Sequence, residues 1–433
     1  MALKKVLFFP NYLGGGFGHI GRCVALADEL RRRGGTAIFA MNGPHVRSIT
    51  SAGFEVKILK KPAMERSGSG GPAYLYIPNM NYQIVRDGFD SAGSVKESLT
   101  EAVSIAQTIK PDVIVGDGHP ITNLLGKKMG LPIVQIVKSA VHPNPEKLAW
   151  WEKEPAGIIQ PDPGPVFNPV LNKIGMRGVS RAEELLDGDL LLLPSIPELD
   201  PMKILPPKTY YTGAIVRKDV DSVDTPDWMR RLDEVRPVIY VTIGGAASHS
   251  GGGEFFNVII GAFGDGRYQV VVSAGGKDIV EKSELPENIY MVKWVPGIRM
   301  ISRSSLVIHH GGYTRLEILS LGRPGIVIPF HSEQEYYGRI LEQAGVAKLL
   351  HYSSQPYVRV ERKWRGGGFR FGSRKFTLHY RPEMTLTQKQ LRNTVDEIFK
   401  DMQMNYSVKT IQEKLNRING PECALNTIEK FLL

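Results

Sequence analysis

The sequence predicts an α/β protein made of two doubly wound parallel-sheet domains, and three observations carry that prediction. Short β-rich runs alternate with helical patterns along all 433 residues, the order expected of strands joined by crossover helices. Many of those runs are continuously apolar rather than alternating, as in strands covered on both faces. The runs also form two series, separated by a stretch marked by Pro194, Pro197, Pro201, Pro206, Pro207, Pro226 and Pro237. A chain of this length exceeds one ordinary core, so two domains are expected.

Taken in order, the first series places strands at 6–9, 36–41, 54–59, 112–116, 133–137 and 190–193. The second places them at 238–243, 268–273, 288–293, 306–309, 325–330 and 346–350. The expected organisation is an N-terminal domain over 1–205, a linker over 206–236 and a C-terminal domain over 237–406. A helical tail over 407–433 follows, divided by Gly420-Pro421.

Composition narrows the class. With 42% apolar and 23% charged residues the chain reads as globular rather than disordered. No apolar run reaches the length of a membrane span, and Lys4-Lys5 precedes only a short strand-like run. Cys23 and Cys423 lie far apart and form no metal spacing, which leads us to expect a reduced, cytoplasmic setting. The net charge of +10 is concentrated. Between 357 and 381 eight basic side chains face one carboxylate, Glu361, leaving the rest nearly balanced. That distribution argues against a nucleic-acid surface along the whole protein.

The most informative stretch is His309-His310-Gly311-Gly312-Tyr313-Thr314-Arg315-Leu316-Glu317. A strand feeds a glycine pair at a helix N-terminus, where free N–H groups and the helix dipole favour an anion. Glycine permits close approach of a phosphate, and His310 adds a donor. Glu317, expected about two turns into the helix, can accept from both hydroxyls of a ribose. The segment thus points to a nucleotide or nucleotide-sugar.

A second loop, Gly14-Gly15-Gly16-Phe17-Gly18-His19, follows the first strand and opens a helix whose buried face is Ile20, Cys23, Val24, Ala27 and Leu30. In the first turn the dipole keeps the His19 imidazole neutral, suited to act as a general base. Read by itself, the loop is equally an ordinary β–α turn. Asp117, at the carboxyl end of the strand 112–116, can accept from His19 Nδ1 and fix its tautomer, or simply cap the next helix. His119 is a rival base.

Other features sit at carboxyl ends of the second series. Gly244-Gly245 open a small-residue loop suited to a phosphate or sugar, or to no ligand. Trp294-Val295 can place an indole on a base, or merely pack. Glu333 and Gln334 can read sugar hydroxyls, or cap the helix that follows. Strand carboxyl ends are where doubly wound sheets bind ligands.

In these residues the chain resembles the GT-B nucleotide-sugar glycosyltransferases. It is nearest in look to the peptidoglycan enzyme that adds N-acetylglucosamine to lipid I and to bacterial antibiotic glycosyltransferases. The resemblance covers most of both halves and is strongest over 294–350, where WVP, HHGGYTRLE, GRPGIVIPF, EQEYYG and QAGVAKLL occur in family order. It implies two Rossmann-like domains facing a cleft, with the last helix crossing back to the N-terminal one. On the donor side it implies Gly244, Gly245, Trp294, Val295, His310, Gly311, Gly312, Thr314, Glu317, Glu333 and Gln334. For catalysis it implies the pair His19 and Asp117, and Gly16, Phe17, Gly18 and His119 are expected on the acceptor side.

Two departures stand out. Gly297 occupies a position where many relatives carry glutamine, and 351–385 is an apparent insertion. The insertion holds the basic cluster together with Trp364, Phe369, Phe371 and Phe376, and Gly366-Gly367-Gly368 reads as a hairpin tip. Such a surface can rest on an anionic membrane at the inner face or receive an acidic acceptor. The plainer reading is a solvated hairpin beside the donor site.

The function expected is an inverting glycosyltransferase using a UDP- or dTDP-sugar and an unidentified hydroxyl acceptor. No cofactor and no metal is expected, since no DxD-like acidic cluster appears. The alternatives are a nucleotide-sugar epimerase or hydrolase, or a nucleotide-sugar-binding subunit.

Overall fold

The computed structural model describes residues 4–14, 16–61, 73–146, 148, 154–217, 226–242, 252–273, 285–293, 295–363 and 375–432. Gly15, Gly244, Gly245, Trp150, Trp151, Trp294 and the expected hairpin tip at 366–368 lie outside them.

In the first half, strands β1 (Lys5–Pro10), β2 (Thr36–Met41), β3 (Glu55–Ile58), β4 (Tyr74–Tyr76), β5 (Val113–Asp117), β6 (Ile133–Ile136), β7 (Leu190–Leu193) and β8 (Thr209–Tyr211) accompany helices α1 (Gly18–Arg32), α2 (Val46–Ser51), α3 (Met80–Arg86), α4 (Ala92–Ile109), α5 (Thr122–Met129) and α6 (Gly164–Lys173). Seven of these strands form a sheet in the order β3-β2-β1-β5-β6-β7-β8. All its pairings are parallel. Every residue of β5, β6 and β7 is buried, which accounts for the unbroken apolar run of β7 and the mostly apolar runs of β5 and β6.

The second half begins with α7 (Asp227–Arg230), then β9 (Val238–Thr242), α8 (Gly252–Phe263), β10 (Gln269–Ser273), β11 (Ile289–Val292), α9 (Gly297–Arg303), β12 (Leu306–His309), α10 (Thr314–Ser320), β13 (Gly325–Val327), α11 (Ser332–Gln343) and β14 (Ala347–Leu349). The six strands pair in parallel in the order β11-β10-β9-β12-β13-β14. The two halves are therefore Rossmann-like sheets. In each, the strand order reverses beside the first strand, between β1 and β5 and between β9 and β12. Ligand crevices in such sheets form at that reversal.

Several elements depart from expectation. β8 joins the first sheet from within the segment expected as a linker. The insertion folds as β15 (Val358–Lys363) and β16 (Lys375–Arg381), antiparallel to each other. β16 then pairs with β4 of the first half. β4, whose three residues are too few to show a period, also donates from Leu75 N to Phe330 O at 2.8 Å. Buried Phe376, Thr377, His379 and Arg381 make β16 an internal strand. Exposed Val358, Arg359 and Arg362 remain on the β15 edge.

Helices α12 (Gln388–Lys400), α13 (Met402–Asn416) and α14 (Gly420–Leu432) close the chain. Leu391, Val395, Val408 and Ile411 pack into the second core, whereas Ala424, Leu425 and Ile428 of α14 pack into the first. Arg33 fastens α14 there, donating to Asn426 Oδ1 at 2.8 Å and Glu429 Oε2 at 2.9 Å.

Candidate active site between the two sheets

β1 is in register with β5 so that Pro10 lies beside Asp117, and α1 begins eight residues on at Gly18. Asn11 shapes the turn, donating to Asp87 Oδ2 and Gly118 O at 3.0 Å each. His19 lies in the first turn of α1, with Nδ1 2.6 Å from Asp117 Oδ1. Asp117 is 1% exposed while His19 keeps 29%, so the pair is anchored inside and open at the imidazole. Gly118 has φ +69°, and a Cβ there would lie 2.8 Å from His19 Cε1. Glycine is thus required for the ring to lie against the turn. Burial lowers the His19 pKa; Asp117 opposes the shift, and Arg22 and Lys138 add to it. Asp117 stays ionised because Arg22 and His19 outweigh the cost of its burial.

His119 sits elsewhere. It is 4% exposed, packs edge-on to Phe9 at 5.7 Å, and its Nδ1 accepts from Ile121 N at 3.4 Å. Burial pushes its pKa down to about 4. It lines a small cavity with Tyr12, Lys61 and Glu101, which leaves His19 as the partly exposed histidine of the two. Of the other acceptor-side residues, Phe17 is exposed and edge-on to His45 at 5.2 Å, and Gly16 faces open space.

On the opposite sheet, β12 ends at His309 and α10 begins at Thr314, so Glu317 is in the first turn rather than about two turns in. Gly311 has φ +87°, and a Cβ there would approach Gln334 O to 2.6 Å. Its N–H donates to His309 Nδ1 at 3.2 Å and is thereby engaged within the loop. Burial raises the Glu317 carboxyl to about 7. Val295 belongs to a packed cluster with Val238, Tyr240 and Ile301, which makes it a core residue. Gln334 is buried and its Oε1 accepts from Phe330 N at 2.8 Å, so the amide braces the loop before α11. Glu333 pairs with Lys138 of the first half. Burial raises its pKa, but Lys138 and His331 outweigh that and bring it to about 2.

Four side chains to which the sequence assigned no role complete the site. Arg22, one turn after His19, donates through Nε and Nη2 to Asp117 at 2.7 Å each. Tyr313 reaches from the α10 loop into the first half, where its hydroxyl accepts from Ile215 N at 2.9 Å. Arg315 is 2% exposed and stacks on Tyr337 at 3.8 Å, and Tyr337 donates to buried Asp200 at 3.0 Å. Lys138, just past β6, was detectable as a cation following an apolar strand. Arg315 carried no such signal, since its neighbours Thr314 and Glu317 read as a polar helix face.

Comparison with known proteins places this architecture. No protein-family model matches the chain. It is 26% identical over 282 residues to a PGL/p-HBAD biosynthesis glycosyltransferase of Mycobacterium tuberculosis, covering 60% of this chain and 64% of that relative. It thus spans under two thirds of that relative's length. Over 448 residues, 98% of both chains, it is 22% identical to an uncharacterized glycosyltransferase of Methanosarcina mazei. Among solved structures it matches spinosyn rhamnosyltransferase SpnG complexed with thymidine diphosphate, with a TM-score of 0.67 and 18% identity over 98% of this chain and all of that one. The fold is GT-B, with two Rossmann-like halves. In sequence the chain resembles proteins named glycosyltransferases from one end to the other.

Proposed function

We propose that the protein is an inverting, metal-independent glycosyltransferase that moves a sugar from a UDP- or dTDP-sugar to a hydroxyl of a small-molecule, glycan or lipid-linked acceptor. The observation that carries this reading is the His19–Asp117 pair, partly open at the imidazole and set against the α10 loop of the other sheet. With Nδ1 committed to Asp117, Nε2 is the nitrogen that takes the acceptor proton. As the acceptor oxygen bonds to the anomeric carbon from one face, the bond to the diphosphate oxygen breaks on the other, and its electron pair leaves with the diphosphate. The amides of Gly312, Tyr313 and Thr314, with His310 and Lys138, supply the positive field that this leaving charge needs. Glu317 accepts from the ribose. SpnG, which shares this fold, has been solved with thymidine diphosphate and with spinosyn aglycone, which supports a nucleotide-sugar donor and a separate acceptor.

Melting curves with UDP, dTDP, GDP and ADP on wild type and Glu317→Ala test the donor half. A ligand at about 100 times its Kd adds about 2.7 kcal/mol, a shift of a few degrees. We expect it for UDP or dTDP, and expect its loss in the variant. Absence of any shift at millimolar nucleotide would overturn the donor assignment. Anomeric configuration of the product, read by NMR, then tests inversion.

A further inference from the structure

We propose that Arg22 is the positioning residue of this site: its guanidinium fixes the Asp117 carboxylate and, lying on the Tyr313 ring, ties the orientation of His19 to the donor loop of the opposite sheet. The inference rests on the reading of His19 as the base. The Asp117 carboxylate is almost wholly buried and fully used. Oδ2 accepts from Arg22 Nε at 2.7 Å, while Oδ1 accepts from Arg22 Nη2 at 2.7 Å and His19 Nδ1 at 2.6 Å. A two-point fork allows a planar carboxylate one orientation, which a single bond from His19 would not.

The guanidinium has a second partner. Its central carbon lies 4.4 Å from the centroid of the Tyr313 ring, and Tyr313 is the N-cap of α10. That phenol is itself held. It accepts from Ile215 N at 2.9 Å, and its proton is directed at Ile215 O, 3.1 Å away, or Pro194 O, 3.3 Å away. The guanidinium therefore lies between the acid–base pair of one sheet and the anion loop of the other, and its place depends on both.

Charge gives this arrangement a chemical consequence. Arg22 and Asp117 cancel, so at rest the cluster with a neutral His19 carries no net charge. Arg22 Nη2 also lies 3.0 Å from His19 Nδ1. Because Nδ1 already donates to Asp117, this contact is not a hydrogen bond to the ring, and it opposes an imidazolium. His19 takes a proton most readily when negative charge develops on a departing diphosphate beside Tyr313. The charged groups that act on His19 are Asp117 on β5, Arg22 on α1 and Lys138 beyond β6. Of these, only Asp117 favours the charged ring.

Histidine 15N NMR on the full chain reads this directly, with His19 assigned from the signal lost in His19→Ala. Wild type is expected to show one neutral tautomer, protonated on Nδ1, that titrates below the ordinary histidine midpoint. Arg22→Gln frees the carboxylate and removes the repelling cation, so the midpoint should rise by about one pH unit, tenfold in proton affinity. Arg22→Lys should restore the low midpoint while the single tautomer is lost, because an ammonium cannot fork. An unchanged midpoint and tautomer in folded Arg22→Gln would overturn the proposal. Should that variant not fold, Tyr313→Leu decides: it leaves the ion pair in place, and an unaltered His19 spectrum there overturns the link to the donor loop. Turnover retained in His19→Ala would instead defeat the base reading, a result separate from the titration.

Discussion

The two glycine-marked turns of this molecule look alike in sequence and are used in opposite ways. The turn before α1 works through side chains. His19 and Arg22 descend from the helix onto Asp117 at the end of the neighbouring strand, and a Cβ added at the loop glycine Gly16 would meet open space. The turn before α10 works through its backbone. There Gly311 is pressed against the carbonyl of Gln334, and the first amides of α10 have no preceding turn of helix to bond to. A glycine-rich loop after a strand therefore signals a place in the fold, and the neighbouring strand end decides whether it holds a base or a phosphate.

The largest effect that would break this contrast concerns the side-chain turn. His19→Ala is expected to lower kcat by about 10²–10⁴, the usual contribution of a positioned base, with nucleotide Kd unchanged. Parallel steady-state kinetics and nucleotide titration check it. A variant that lost nucleotide binding along with turnover would show that the α1 turn also belongs to the donor site.

On the backbone turn the sharpest test is Glu317. Its folded pKa of about 7 lies above the ordinary value of 4.5, so the folded state holds the proton longer than the unfolded chain does. Stability from this group is therefore full below about pH 4.5 and falls as pH rises to about 7. At about 1.4 kcal/mol per pKa unit the loss is of the order of 3 kcal/mol. Glu317→Gln should melt higher than wild type at pH 8 and with little difference at pH 5. Wild-type nucleotide affinity should rise with pH across the same interval, since the ionised carboxylate is the better acceptor for ribose hydroxyls.

Most of the fold was legible because buried parallel strands are written as unbroken apolar runs, as Leu190–Leu193 shows. The His19–Asp117 pair was legible because each residue stands immediately after such a run or opens the helix beyond it. Arg22 was not, although it lies one turn from His19 on the same helix face. It stands off the apolar stripe of Ile20, Cys23, Val24, Ala27 and Leu30, and only partners in other elements, Asp117 and Tyr313, explain its burial. Tyr313 and Arg315 were hidden for a related reason: their partners, Ile215 and Tyr337, lie in other elements that the sequence does not connect to them. The Gln334 side chain had two open readings, and the contact with Phe330 N favours bracing over sugar recognition.

The smallest effect separates the two turns at single glycines. At Gly311 an added methyl would meet a backbone carbonyl at 2.6 Å from a φ of +87°, and neither strain can relax without moving α11. Gly311→Ala is expected to cost about 1–3 kcal/mol, read as a melting temperature lower by several degrees. At Gly16 the same methyl enters open space and φ is not positive, so Gly16→Ala should stay within about 0.5 kcal/mol of wild type. Nucleotide-induced stabilisation should fall in the first variant and persist in the second. Equal costs at both sites would mean that the two turns are constrained alike, and that their division into a side-chain site and a backbone site is mistaken.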